Sequence, residues 1–125
     1  MAILTPKLTL TGSAADFGSA LSLSVSDTLT VGQPFVGMSK VDVLHTAPFV
    51  PLTVTGNVLT TYVYLKNTHD TDYIVYGTDV SEANGIIGIL HPDEFAFFPV
   101  QGERGLEVIA NSVTCAIEYG YWTKA

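Results

Sequence analysis

The sequence predicts an all-β fold, built as an antiparallel sandwich or barrel. Short runs of alternating apolar and polar residues fill residues 62–122, and turn residues separate these runs at nearly even spacing. The connections are too short to hold helices. Because parallel neighbours need a crossover of a dozen residues or more, strands joined this closely pair in antiparallel fashion. The pattern predicts about 8–10 strands in the whole chain.

Two alternating segments lie in the N-terminal third of the chain. The first covers residues 3–11 and places Leu8 and Leu10 on one face. The second covers residues 20–26, where aliphatic residues alternate with serines. It predicts a half-buried strand whose other face meets solvent or a partner. The small residues between the two segments leave room for one helical turn at residues 14–17.

The pattern is weaker between residues 29 and 56. A short strand at residues 29–31 is predicted to end at residues 32–34, which read Gly-Gln-Pro. The next stretch contains two further prolines, which cannot donate hydrogen bonds to a central ladder. It is interpreted as an extended, edge-like crossover with short strands at residues 41–44 and 52–55.

Turn residues divide the remainder into strands. A turn at residues 56–57 leads into a strand at residues 58–66, and a polar turn at residues 67–72 joins it to residues 73–76 as a hairpin. Residues 91–94, which read His-Pro-Asp-Glu, predict a type I turn because proline supplies the fixed φ of its second position. The other predicted strands are residues 86–90, 94–100, 106–109 and 113–122.

A chain of 125 residues is long enough for a core of its own without disulfides or a structural metal. We therefore expect one β-sandwich domain over residues 1–125, with residues 1–20 as an N-terminal arm or docking strand. Cys115 is the single cysteine, which excludes an intrachain disulfide. Its alternating neighbours predict a small buried side chain.

Charge excludes several classes of partner. Five basic residues stand against twelve acidic ones, for a net charge of −7 that divides into −1 over residues 1–61 and −6 over residues 62–125. Without a basic stripe, neither nucleic acid nor an anionic membrane surface is an expected partner. Only 14% of the residues are charged, against about 25% in an average protein. This shortage favours a homo-oligomer over a monomer coated with serine and threonine.

The N-terminus has neither the charged region nor the apolar core of a signal peptide. No apolar run has the length of a membrane span. We therefore expect synthesis and folding in a cytoplasm.

No pattern in the sequence indicates catalysis or a cofactor. The three histidines stand alone in their segments, and the motifs of nucleophilic catalysis and phosphate binding are absent. Asn67, Asp70, Asp72 and Asp79 gather around one turn, as the oxygen ligands of calcium do. The spacing lacks the glycine and the final glutamate of a calcium loop, which favours a solvated turn. We expect no enzyme activity, no cofactor and no metal.

Aromatic residues on strands suit a contact between sheets or subunits, or a platform for sugars. Tyr62 is predicted to share a face with Tyr64, and Tyr119 with Tyr121. We favour packing or a subunit interface over a glycan platform. The candidate interface residues are Leu8, Leu10, Tyr62, Tyr64, Tyr119, Tyr121 and Trp122.

The order of motifs between residues 62 and 121 resembles small virion proteins of tailed bacteriophages. Those proteins show a strand ending in Lys-Asn, a Leu-x-Pro-Gly-Glu-Phe turn and a Gly-Leu-x-Val-x-Ala-Asn strand end. The turn is matched by Leu90, Pro92, Glu94 and Phe95, with Asp93 in place of the usual glycine. The strand end is matched by Gly105, Leu106, Val108, Ala110 and Asn111. The residues before 60 match no family.

The resemblance implies a jelly-roll or related β-sandwich in a virion setting. From it we expect a non-enzymatic capsid decoration or cement protein on the capsid surface. Such a protein binds the major capsid protein as a homo-oligomer, a dimer or trimer, and stabilises the shell. The acidic second half is expected to face solvent, and the near-neutral N-terminal segment to face the shell. The alternative is a tail, head-fibre or adsorption protein, or a free module, that binds host glycans.

Overall fold

The computed structural model describes residues 2–46, 50–52 and 59–125. It is nearly all-β with antiparallel pairing, which confirms the predicted all-β sandwich class. The described residues form eleven strands, one short helix and one 3₁₀ turn at Ala83–Gly85. The N-terminal elements are β1 Ala2–Leu4, β2 Lys7–Gly12, α1 Ala14–Phe17 and β3 Leu21–Ser26. The others are β4 Leu29–Val43, β5 Val50–Leu52, β6 Thr60–Asn67, β7 Ile74–Gly77, β8 Ile86–Leu90, β9 Phe95–Gln101, β10 Leu106–Ala110 and β11 Cys115–Lys124.

The chain divides into two compact units, residues 1–31 and residues 32–125. We call them the N-terminal unit and the sandwich unit. The N-terminal unit holds the antiparallel hairpin β2–β3 and the pairing of β1 with the first three residues of β4. The helical turn α1 lies between β2 and β3, at the residues where the sequence left room for one.

The sandwich unit is built from two sheets. The larger sheet has five strands in the order β1-β4-β11-β6-β9, of which β1 belongs to the N-terminal unit, and the smaller sheet has four strands in the order β5-β10-β7-β8. Alternation puts every second side chain of each sheet into the space between the sheets, where apolar burial stabilises the fold. The buried cluster there consists of Val43, Leu52, Val63, Leu65, Ile74, Leu90, Leu106, Val108, Ala110, Cys115 and Ile117. Cys115 is fully buried, as the sequence predicted.

One contact between the sheets depends on a glycine. The rings of Tyr76 and Phe98 stack with centroids 5.7 Å apart and planes 18° apart. Gly88 lies opposite Tyr76 on the neighbouring edge strand β8. A Cβ atom at Gly88 would lie 2.7 Å from the Tyr76 hydroxyl oxygen, so a larger residue would displace the ring.

The predicted break at residues 32–34 was wrong, because β4 continues without interruption from Leu29 to Val43. Glycine accepts an extended backbone, and the fixed φ of proline is also compatible with a strand where no N–H donor is needed. Of the predicted strand at residues 52–55, only Leu52 is described, as the last residue of β5. The predicted turn at residues 56–57 lies outside the described residues.

The predicted hairpin between residues 58–66 and 73–76 was also wrong. Strand β6 pairs with β11 and β9, whereas β7 pairs with β10 and β8, so the polar turn carries the chain from one sheet to the other. Turn residues mark where a strand ends, but they do not determine which strand becomes its partner.

The turn at residues 91–94 differs from the predicted type I turn. The φ of Asp93 is +67°, and the N–H of Glu94 donates to the carbonyl of His91 at 3.0 Å. A positive φ at the third position of a turn belongs to type II. Type II turns also favour proline at their second position, so Pro92 is compatible with both turn types and did not distinguish type I from type II. Asp93 thus takes the conformation that glycine adopts most easily.

Candidate interaction surfaces

The hairpin β2–β3 separates its side chains completely by polarity. The hairpin apolar face consists of Leu8, Leu10, Leu21, Leu23 and Val25. These five side chains are 40–51% exposed. The hairpin polar face consists of Lys7, Thr9, Thr11, Ser22, Ser24 and Ser26.

The register explains this separation. Leu8 lies opposite Val25 and Leu10 opposite Leu23, while threonines face serines on the other side. Both strands of the hairpin are exposed over nearly their whole length. The expectation of a half-buried strand at residues 20–26 was therefore wrong. Alternation shows which face would be buried, but it does not supply the layer that buries it.

The outer face of the larger sheet carries a second apolar surface. The register places Tyr62 and Tyr64 on β6 beside Phe97 on β9 and Trp122 on β11. The rings of Tyr62 and Phe97 stack at 5.8 Å and 18°. Phe95, at the start of β9, is 63% exposed. We call Tyr62, Tyr64, Phe95, Phe97 and Trp122 the aromatic face.

Tyr119 and Tyr121 lie on the opposite side of β11 and pack against the buried core. The structure therefore brings together Tyr62, Tyr64 and Trp122 but separates them from this second tyrosine pair. Leu8 and Leu10 belong to the hairpin apolar face. The role of these residues in an interface stays a prediction.

Sequence reasoning missed two groups of exposed residues. The three aliphatic residues of β3 were placed on one face but not proposed as interface residues. Phe95 and Phe97 were overlooked, although their alternation along one strand was a signal that both project to the same side.

Charges of both signs lie on the outer face of the larger sheet. Lys66 lies directly opposite Glu118. Lys40 and Asp42 are exposed on β4, where they alternate with the inward-facing Val41 and Val43, and Lys124 is exposed at the end of β11. Three lysines and two acidic residues thus share the aromatic side of the sandwich unit.

A buried polar network closes one end of the sandwich. Asn67 is fully buried, and its side-chain Nδ2 donates to the carbonyls of Asp72 and Leu90, both at 2.9 Å. Its Oδ1 accepts the N–H of His69 at 3.0 Å. The His69 Nδ1 accepts the N–H of Asp72 at 2.9 Å. Asn67 therefore ties the β6–β7 connection to the end of β8.

Asp72 anchors the connection between β10 and β11. One of its carboxylate oxygens accepts the N–H groups of Ser112 and Val113 at 2.7 and 3.0 Å. These two hydrogen bonds hold the pKa of Asp72 well below its usual range. Burial, together with the nearby negative charge of Asp72, raises the pKa of the Cys115 thiol to about 11. The thiol is thus protonated and poorly reactive at neutral pH.

These contacts also bear on the suspected calcium ligands. The side chains of Asn67 and Asp72 are already hydrogen-bonded to backbone groups. Asp79 Oδ1 likewise accepts the N–H of Ser81 at 3.0 Å. Within residues 2–46, 50–52 and 59–125, no group of three or more His, Cys, Asp or Glu side chains is placed to hold a metal ion.

Among the described residues, no helix is long and apolar enough to cross a membrane. No known protein family, curated protein or solved structure matches the chain. The resemblance to phage virion proteins therefore stays a prediction.

Proposed function

We propose that the protein is a non-enzymatic capsid decoration or cement protein of a tailed bacteriophage. It binds the outer shell as a homo-oligomer and stabilises it. One observation carries the proposal: each compact unit presents an apolar surface to solvent. The hairpin apolar face of one unit is exposed, and the aromatic face of the other is partly exposed. Contiguous exposed apolar surfaces are typical of protein contacts.

The strand order supports the jelly-roll form of the sandwich. Numbered within the sandwich unit, the first strand neighbours the eighth, the second the seventh, the third the sixth and the fourth the fifth. Such nesting results when one long antiparallel hairpin of four strand pairs folds across two sheets. Jelly rolls of this kind occur in viral capsid and lectin domains.

Charge supports an orientation on the shell. The N-terminal unit carries one lysine and two aspartates, whereas most of the acidic excess belongs to the sandwich unit. We place the N-terminal unit toward the shell and the acidic loops of the sandwich unit toward solvent. Each single contact is weak, but an oligomer that binds several capsid subunits at once gains avidity.

The number of copies per purified particle tests this proposal. Quantitative mass spectrometry against the major capsid protein should give hundreds of copies, in simple ratio to the capsid subunit. A count of at most a few tens of copies per particle would instead indicate a location in the tail or fibres. Its absence from the particle would remove the virion role altogether.

A truncation tests the orientation. The protein without residues 1–12 should fail to bind particles that lack the protein, while its sandwich unit stays folded. Binding that is retained by the truncated protein would contradict a shell contact through the N-terminal unit.

The aromatic face favours a second candidate function, a tail, head-fibre or adsorption protein that binds host glycans. Flat, partly exposed aromatic rings can stack on sugar rings, and three lysines lie on the same side of the sandwich unit. For this function, replacing Tyr64 or Trp122 with alanine should abolish glycan binding without changing incorporation into particles. If the protein is a cement protein, the wild type should bind no glycan, and the same replacements should lower the stability of the particle.

A further inference from the structure

Among the described residues, no third strand pairs with the hairpin β2–β3. An isolated two-stranded hairpin is marginally stable in water, and a hydrophobic face normally needs a third strand or a packed layer. Here the apolar face is 40–51% exposed at all five positions, and the polar face is exposed as well. A partner that covers the apolar face would supply the missing layer.

The chemistry of the face limits what this partner can be. The hairpin apolar face contains only leucine and valine, so no charge on it would be desolvated by an apolar partner. Copies of a chain with net charge −7 repel one another over most of their surface. A charge-free patch is where two copies can approach with the least repulsion. The face is also self-complementary, since apolar side chains meet apolar side chains under a two-fold axis.

The area fits a weak, reversible contact between two copies. The five residues of the apolar face, backbone included, are each close to half exposed and present on the order of 400 Å² per hairpin. Pairing two hairpins would therefore bury about 800 Å² in total, below the roughly 1,200–2,000 Å² of stable interfaces. Because the contact is this small, we expect association only at high protein concentration.

We propose that the hairpin apolar face packs against the same face of a second copy of this chain, as a two-layer contact between two hairpins. This inference rests on the proposed function in one respect: it assigns the homo-oligomer named there to a particular surface. The second copy is preferred over the shell because a marginal hairpin needs its partner when the chain folds. Other copies are present at that point, whereas the shell is met later.

The contact leaves the hairpin polar face free. The Leu10–Leu23 pair lies at the centre of the apolar face, between Leu8–Val25 and Leu21. The neighbouring Thr9–Ser24 pair points away from the two-fold axis and stays available to the shell. The two adjacent pairs therefore provide a matched set of variants.

The oligomeric state in solution tests the proposal directly. Light scattering coupled to size exclusion should show an oligomer for the wild-type protein. Leu10→Lys should raise its dissociation constant by more than ~100-fold, because a lysine charge would be buried without a partner. Thr9→Lys adds the same charge on the polar face and should leave the oligomer intact. Trp122 fluorescence reports that the sandwich unit stays folded in both variants.

A cross-linking experiment covers the case in which Leu10→Lys unfolds the hairpin itself. Leu23→Cys places a thiol near the two-fold axis, and a short bismaleimide should join two copies through it. Ser24→Cys, on the polar face, should give no such product. Cys115 is buried and protonated, so it does not compete for the reagent.

The proposal is overturned by a wild-type protein that is monomeric at high micromolar concentration. It is equally overturned if Leu10→Lys and Thr9→Lys associate alike, or if both cysteine variants cross-link to the same extent. None of these measurements uses a phage particle. An oligomer that never binds particles would thus remove the proposed function and leave this inference standing. A monomer that binds particles would overturn this inference and leave the shell-binding part of the proposed function.

Discussion

Asn67→Asp removes both hydrogen-bond donors from a fully buried side chain while keeping its size. The carbonyls of Asp72 and Leu90 each lose a 2.9 Å hydrogen bond and face a carboxylate oxygen instead. A buried group that loses its partner costs about 1–3 kcal/mol. Two such losses, with the added repulsion, should lower the free energy of unfolding by about 3–5 kcal/mol at pH 7. Since small domains are stable by only about 5–15 kcal/mol, this loss is a large share of the total free energy of unfolding.

Urea denaturation followed by Trp122 fluorescence measures this loss. Asn84→Asp makes the same chemical change at an exposed position and should shift the free energy of unfolding by less than about 0.5 kcal/mol. Acid should partly rescue the Asn67→Asp variant, because burial raises the pKa of the introduced carboxyl and its protonated form regains one donor. A loss below about 1 kcal/mol at pH 7 would refute the argument that this side chain holds the end of the sandwich together.

Three further predictions concern local chemistry. Asp93→Gly should raise the free energy of unfolding by about 0.5–1 kcal/mol in urea melts, whereas Asp93→Val should lower it, because the φ of +67° suits glycine. If both variants shifted stability in the same direction, the left-handed turn would be wrong. The lowered pKa of Asp72 means that its stabilising contribution is present above about pH 4 and is lost as the pH falls below that value. Asp72→Asn should therefore be less stable than the wild type at pH 7, with a gap that narrows between pH 4 and pH 2; a constant gap would argue against the N–H contacts. Cys115 should react with a disulfide reagent at pH 8 only at the rate of unfolding, so fast labelling of the native protein would contradict its burial.

From β6 onward, the pattern of the sequence was sufficient for strand position and for the face to which each side chain points. A period of two places Thr61, Val63 and Leu65 on one side of β6, and the same period extended by two residues reaches Asn67. The burial of Asn67 was therefore readable from the sequence, although it was interpreted as part of a polar turn. The face to which Cys115 points was predicted for the same reason, because it depends on neighbours along the chain.

What the tertiary structure decided is which surfaces meet. Strand β6 pairs with β11 and β9 instead of β7, because pairing depends on how both sheets close over a shared core and not on the turn between two strands. The two tyrosine pairs have the same local pattern, yet one packs on the core and the other lies on the aromatic face. The aliphatic alternation of β2 and β3 likewise looks the same whether or not a layer covers it. Local sequence determines the two faces of a strand, whereas burial is a property of everything packed against them.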